Sequence, residues 1–299
     1  MRRIPVQIHR QVTFLVFALS ALLLHPGLAR AHAIAGMRVF PGTLSIDDPG
    51  VVNEFSTVFG SVKADGVTQN GIDLEYAKTL SPRFGLTVGG GYQWLNNDAG
   101  PDVSGWDNLS IGAQYQLFIS ARHEAIGMIS LSDSVANTGS GGIGDSFSTY
   151  TPEFAFGKGF GDLPDSLQFL RPLAVTGAIS EDFPTDPTVP HTVNWGLSLQ
   201  YSIPYLQSFV KYVGLKAPFN RMVPIVELPM QTCLDRGCAG QTTGYVNPGV
   251  IWIGKYYQVG IEAQVPINDR TGTHVGVLVG VDLYLDDLLP RSLGRPLFR

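Results

Sequence analysis

Residues 273–285 read THVGVLVGVDLYL, and this alternation constrains the fold more than any other stretch. Val275, Val277, Val279, Val281, Leu283 and Leu285 share one parity; His274, Gly276, Leu278, Gly280, Asp282 and Tyr284 share the other. Successive strand side chains point to opposite faces, so the segment is a ribbon with one aliphatic face and one small or polar face, Leu278 excepted. The pattern recurs along the chain. Leu109, Ile111, Ala113, Tyr115 and Leu117 oppose Asn108, Ser110, Gly112, Gln114 and Gln116, and Val193, Trp195, Leu197, Leu199 and Tyr201 oppose Asn194, Gly196, Ser198, Gln200 and Ser202. A soluble sandwich would cover such faces with a second sheet. An exported chain with many of them is better matched to lipid.

Export is read from the first 31 residues. Arg2, Arg3 and Arg10 precede the apolar run Val12 to Leu24, and Ala29-Arg30-Ala31 supplies an A-x-A cleavage site, so residues 1–31 are expected to be a signal peptide. An uncleaved anchor and cleavage after Ala33 are the alternatives. Removing residues 1–31 takes away four Arg, leaving 16 Lys and Arg against 25 Asp and Glu and a net charge of −9 with His neutral. An acidic exported chain is a poor partner for nucleic acid. No later segment has the ~20 continuous apolar residues of a spanning helix.

Period two predicts twelve strands near 53–63, 70–80, 83–95, 105–118, 122–133, 147–160, 169–180, 191–203, 219–231, 244–253, 256–267 and 273–285. These lengths suit tilted spanning strands of ~9 to 11 residues. Connections at Ser81-Pro82, Ile119–Ala121 and Gly254-Lys255 are tight, whereas Asn96–Ser104 and Ser134–Ser146 are long and polar. Short turns at one end and long loops at the other mark an outer-membrane barrel, and an even strand count puts both termini at the periplasmic end. Tyr205–Pro218 is long on the short-turn side; its YLQSFVKYV core reads as a brief amphipathic helix at the membrane surface or a miscounted strand. Tyr92, Trp94, Tyr201, Tyr205, Trp252, Tyr256 and Tyr257 fall near strand ends, where a girdle would place aromatic rings at headgroup depth.

The closing stretch YVNPGVIWIGKYYQVGIEAQVPINDRTGTHVGVLVGVDLYLDD, residues 245–287, resembles the end of Gram-negative outer-membrane barrels in the family named for the meta pathway of phenol degradation. Residues 32–54, HAIAGMRVFPGTLSIDDPGVVNE, resemble that family's leader. The resemblance implies an outer-membrane transporter with no defined substrate, and the family label suggests an apolar or aromatic solute. Leu288–Arg299 continue past the point where such barrels end on an aromatic, so Tyr284 or Leu285 would fill that place. The expected organisation is therefore a signal peptide at 1–31, a periplasmic N-terminal leader at 32–52, an all-β transmembrane antiparallel barrel at 53–285 and a periplasmic tail at 286–299.

Candidate site residues follow from parity. Asp73, Glu75, Glu153, Glu227, Glu262 and Asp282 oppose the aliphatic face, with Arg221 as the best interior base, so a lumen lined by these side chains is expected to be electronegative. The same acids could instead bond to polar neighbours and fill the interior. Cys233 and Cys238, spaced C-x4-C in a loop, suit a disulfide in an oxidising compartment better than a metal site, which needs more ligands. An N-terminal His32 could chelate copper if cleavage follows Ala31. Gly139–Gly144 (GSGGIG) matches G-x-G-x-x-G but lacks the following helix that a phosphate cradle needs, and reads as a flexible loop. His123, His191 and His274 form no local pair with a serine. The expectation is a passive channel for a small solute, with outer-membrane lipid and the barrel-assembly machinery as partners and without catalytic residues, cofactor or metal. A closed structural or adhesive barrel and an outer-membrane hydrolase are the other readings.

Overall fold

A computed structural model describes residues 33–64 and 66–298, so the expected signal peptide, the Ala29-Arg30-Ala31 site and His32 lie outside the described residues. A small hairpin, β1 (Ala33–Ala35) and β2 (Arg38–Phe40), precedes the wall. The wall comprises β3 (Glu54–Ala64), β4 (Val67–Ser81), β5 (Phe84–Asn97), β6 (Val103–Trp106), β7 (Ser110–Ser120), β8 (Ala125–Ser134), β9 (Thr149–Gly159), β10 (Leu173–Pro184), β11 (Thr192–Tyr201), β12 (Met222–Cys233), β13 (Thr242–Ile253), β14 (Tyr257–Pro266) and β15 (Gly276–Tyr284). Each strand pairs antiparallel with its neighbour in sequence, except that β6 and β7 both pair with β5, and β15 returns to β3 from Tyr284↔Glu54 to Val277↔Ser61. This closes a twelve-stranded barrel, because β6 continues β7 upward along β5. Closure leaves no edge, which is what lets a sheet cross a membrane with its backbone satisfied.

All twelve expected strands are staves of this wall. The break between β6 and β7 is a bulge. Tyr92 pairs with Trp106 above it and Gly89 with Ser110 below, so three residues face two and the inward parity switches between the halves. The strand expected at 169–180 runs Leu173–Pro184, because Asp165–Leu170 coils into a short helical turn after Pro164.

Parity sorts the faces as lipid requires. Leu86, Val88, Ile111, Leu131, Leu197, Leu199, Ile261 and Val279 are exposed on the outside and form an apolar band. Tyr92, Trp94 and Trp106 cluster toward one end, with rings 4.8 and 5.1 Å apart. Trp252 and Tyr257 meet at 5.6 Å toward the other. Tyr205 does not join the girdle. It is buried beneath the hairpin, where its hydroxyl finds a carboxylate that the headgroup zone would not supply.

Tight turns at 82–83, 121–124 and 254–256 define the end at which β3 begins, and most of the longer loops define the other. Two connections break the asymmetry. Residues 160–172 and 202–221 are long yet lie at the turn end, and the second opens with the short helical stretch Ile203–Tyr205, capped by the Ser202 hydroxyl accepting from Tyr205 N at 3.2 Å. Conversely, only two residues join β3 to β4 at the loop end.

Candidate functional site

Residues 33–52, the described part of the expected periplasmic leader at 32–52, are folded with Asn53 into the interior of the barrel. The hairpin turns at Gly36, whose φ of +65° suits glycine and where a Cβ would meet Ala121 O at 2.3 Å. Arg38, 1% exposed, anchors it: Nε donates to Glu124 Oε2 at 3.1 Å, Nη1 to Pro172 O at 3.0 Å and Nη2 to Arg171 O. The guanidinium lies 4.0 Å from the Tyr205 ring centre, and the Tyr205 hydroxyl donates to Glu124 Oε1 at 2.8 Å. Burial lowers the Arg38 pKa, partly offset by the Glu124 charge, and pushes the Tyr205 phenol up to about 12. A buried ion pair of this kind fixes geometry, and losing one partner costs about 3–5 kcal/mol because the other charge is stranded.

Beyond Phe40 the chain crosses the lumen without a ladder of its own, so its buried amides and carbonyls need side-chain partners from the wall. Glu227 accepts from Leu44 N at 3.1 Å and Ser45 N at 2.8 Å. Asn247 Nδ2 donates to Ser45 Oγ at 2.9 Å, and Gln258 Nε2 to Gly42 O at 2.7 Å and to Asp282. Gln116 receives Val51 N at 3.1 Å and returns a bond to Pro49 O at 3.2 Å. Glycines on the inward parity make the room. A Cβ at Gly260 would come 2.5 Å from Leu44 Cδ1, and one at Gly196 would come 2.9 Å from Ile46 Cδ1. We call residues 41–53 the plug.

The plug stands between two cavities. One, of about 590 Å³, occupies the upper lumen and is bounded by Thr151, Glu153, Asn194, Gln231 and Tyr245 of the wall and by Arg270 and Thr271 near its mouth. The other, of about 260 Å³, lies on the β3, β4 and β15 flank and is lined by Asp48, Glu54, Glu75, Gln114 and Asp282. Ser45, Ile46 and Asp47 line both.

The inward acids therefore fall into distinct places. Asp73 and Glu75 are exposed to the lumen, with Asp73 beside Asp107 over Gly91. Glu153 lines the upper cavity with Asp47, Glu75 and Asp282 line the lower one, and Glu227 grips the plug. Glu262 is 1% exposed and lies beside Asn247 of the neighbouring strand. Arg221 is not among them. It sits in a turn below β12 with its guanidinium 5.8 Å from the Trp252 ring, because the strand that would aim it inward begins one residue later. Asp47, Asp48, Glu54 and Asp107 were missed by parity on clear strands, since the first two lie on the irregular plug and Asp107 sits in the bulge.

The remaining candidates take structural positions. Cys233, the last residue of β12, is bonded to Cys238 in the loop that follows. Gly139–Gly144 packs against β6, where Gly139 N donates to Asn108 Oδ1 at 3.0 Å and a Cβ at Gly105 would meet Ser140 O at 2.1 Å. His123 meets Asp162 at 3.2 Å at the turn end, while His191 lies 3.7 Å from Glu181 at the loop end, so the histidines are not brought together. Among the described residues no group of three or more His, Cys, Asp or Glu has the geometry to hold a metal ion. Among the described residues Arg270 is the one base lining either cavity, so both linings are acidic and polar.

No protein-family model matches the sequence, and neither does any curated protein. Solved structures do resemble its shape. An outer-membrane channel from Pseudomonas putida F1 superposes with a TM-score of 0.51 at 14% identity, covering 82% of this chain and 99% of that one. The NanC porin gives 0.49 at 8% identity over 77% and 98% of the two chains. The KdgM porin, solved in complex with disordered oligogalacturonate, gives 0.43 at 14% identity over 76% and 98%. At such identities the likeness is one of fold: this is a closed barrel of the outer-membrane kind, and its apolar band places it in the outer membrane.

Proposed function

We propose that the protein is an outer-membrane channel through which a small cationic or neutral polar solute passes, entering the upper cavity and leaving past Ser45–Asp47 into the lower one. The observation that carries this is the shared boundary: two cavities separated by a short irregular segment held by side-chain hydrogen bonds rather than by a sheet. Threonine, asparagine, glutamine and tyrosine in the upper lining, with Glu153 and Asp47, favour a polar solute over the apolar or aromatic one that the family resemblance suggested. Membership of the phenol-degradation family, which rests on residues 32–54 and 245–287, is part of this proposal, as are export through residues 1–31, insertion by the barrel-assembly machinery and termini on the periplasmic side.

Reversal potentials under a salt gradient in planar bilayers test it. The parent should prefer cations, and the double substitution Asp47→Asn, Glu153→Gln should weaken that preference. Anion preference in the parent, or selectivity untouched by both substitutions, would defeat the proposal. Absence of current from the parent and from a variant lacking the plug would favour a structural or adhesive barrel instead.

A further inference from the structure

Arg221, displaced from the lumen, borders a cavity of about 430 Å³ at the turn end that the channel reading leaves unused. Its interior is largely apolar: Met37 and Val39 from the hairpin, Pro204 and Phe209 from the 202–221 connection, and Ile253 from β13. Two cations, Arg221 and Lys255, line it and no carboxylate does. Among the described residues neither base is in an ion pair. Each lies by an aromatic ring of the membrane boundary instead, Arg221 at 5.8 Å from Trp252 and Lys255 at 4.7 Å from Tyr256.

The surroundings continue the lipid belt. Trp252 packs on Tyr257, which is exposed, as are Phe209 of the cavity wall and Tyr212 and Phe219 of the same 202–221 connection. Charge is partitioned between the two ends of the barrel. Among the described Lys and Arg only Lys63, Arg236 and Arg270 stand at the loop end, although acids outnumber bases in the chain. A basic, aromatic rim next to an apolar band is suited to phosphate headgroups, and a cavity pairing two cations with apolar walls is suited to an amphiphile rather than a hydrophilic anion.

We propose that this cavity seats an anionic phospholipid of the adjoining leaflet, with its phosphate between Arg221 and Lys255 and its apolar part against Met37, Val39 and Phe209. Two of those contacts belong to the hairpin that leads into the plug, so the lipid also braces the hairpin against the rim.

Native mass spectrometry of the full chain in detergent tests this, with phosphatidylglycerol, phosphatidylcholine, bisphosphorylated lipid A and inorganic phosphate as probes. Phosphatidylglycerol should bind roughly tenfold or more tightly than phosphatidylcholine, as two basic side chains near a headgroup allow. Arg221→Gln with Lys255→Gln should abolish the preference, and Lys63→Gln at the opposite end should not. Both bases are exposed, so heat-dependent gel mobility should show that the double variant still folds. Equal binding of the two phospholipids, or preference surviving the double substitution, would overturn the proposal. Stronger binding of lipid A would put this rim in the other leaflet, and displacement by millimolar inorganic phosphate would make it a site for free phosphate; either result also overturns it.

Discussion

The wall and the plug occupy the same barrel but are held by different means. Every stave of the wall is paired on both sides by backbone ladders, and its outward side chains gain from lipid whatever fills the interior. The plug has no ladder, and only the β1–β2 hairpin that leads into it is paired by backbone. Its crossing portion is held by Glu227, Gln116, Asn247 and Gln258, and by Leu44 and Ile46 seated against glycines. A closed sheet opens only by losing many bonds together, whereas an irregular segment can leave after losing a few. The difference predicts that the plug can leave while the wall stays closed.

The largest expected effect separates the two directly. Deleting residues 33–50 should raise single-channel conductance several-fold while the barrel still migrates differently on gels before and after boiling, since β3 to β15 close without the segment. A deletion that fails to fold would mean that the plug is part of the wall's stability, and the comparison would fail. Next, Val279→Arg, exposed on the lipid face of β15, should cost about 2–4 kcal/mol, measured by denaturant titration in lipid vesicles, and leave conductance alone. Changed current with unchanged stability would mean that the face assignment is reversed.

Glu227→Ala probes the plug's attachment. Glu227 is fully buried and accepts two backbone amides, so truncation should cost about 1.5–3 kcal/mol per charge-assisted bond lost, felt as plug release rather than barrel unfolding. Hydrogen exchange at Leu44 and Ser45 should accelerate, with exchange in the β12 and β13 ladders unaltered. Equal acceleration in both places would show that plug and wall move as one unit.

The same contrast explains what could be read from the residues alone. Period two revealed all twelve staves because lipid imposes one chemical demand on every outward position, and residues such as Val279 and Leu197 answer it regardless of their neighbours. The plug is invisible to periodicity, since Gly42–Gly50 follows no repeat and its partners lie as far away as Gln258. One signal was present. Gly196, Gly260 and Gly280 on the inward parity leave space that a hollow lumen would not need, and each stands against Leu44 or Ile46. Arg221 was misplaced for a related reason: parity extends only as far as the strand, and β12 starts at Met222.

The C-terminal tail supplies the smallest and most local test, because it touches the plug's end as well as the wall. Asn53 Nδ2 donates to Asp286 Oδ1 at 2.6 Å, while Asn53 Oδ1 accepts from Thr79 N at 2.9 Å, so one side chain links plug, wall and tail. Burial pushes the Asp286 carboxyl up to about 6, opposed in part by the bond from Asn53. For an acid raised in this way the docked state favours the proton. Below the ordinary value of 3.8 docked and undocked tails are both protonated and docking is strongest. Between pH 4 and about 6 the undocked tail ionises first and docking weakens, and above about 6 it stays at the weaker level. Partial exposure keeps the change below the ~1.4 kcal/mol per pKa unit that full linkage would give. Amide exchange at Leu285–Leu288 relative to Val279–Val281, corrected for intrinsic rates, should therefore be slower at pH 4.5 than at pH 7. Asp286→Asn should flatten the difference. A tail that is protected more at pH 7, or a pH dependence that survives Asp286→Asn, would show that this carboxyl does not govern docking, and would leave the tail to the wall alone.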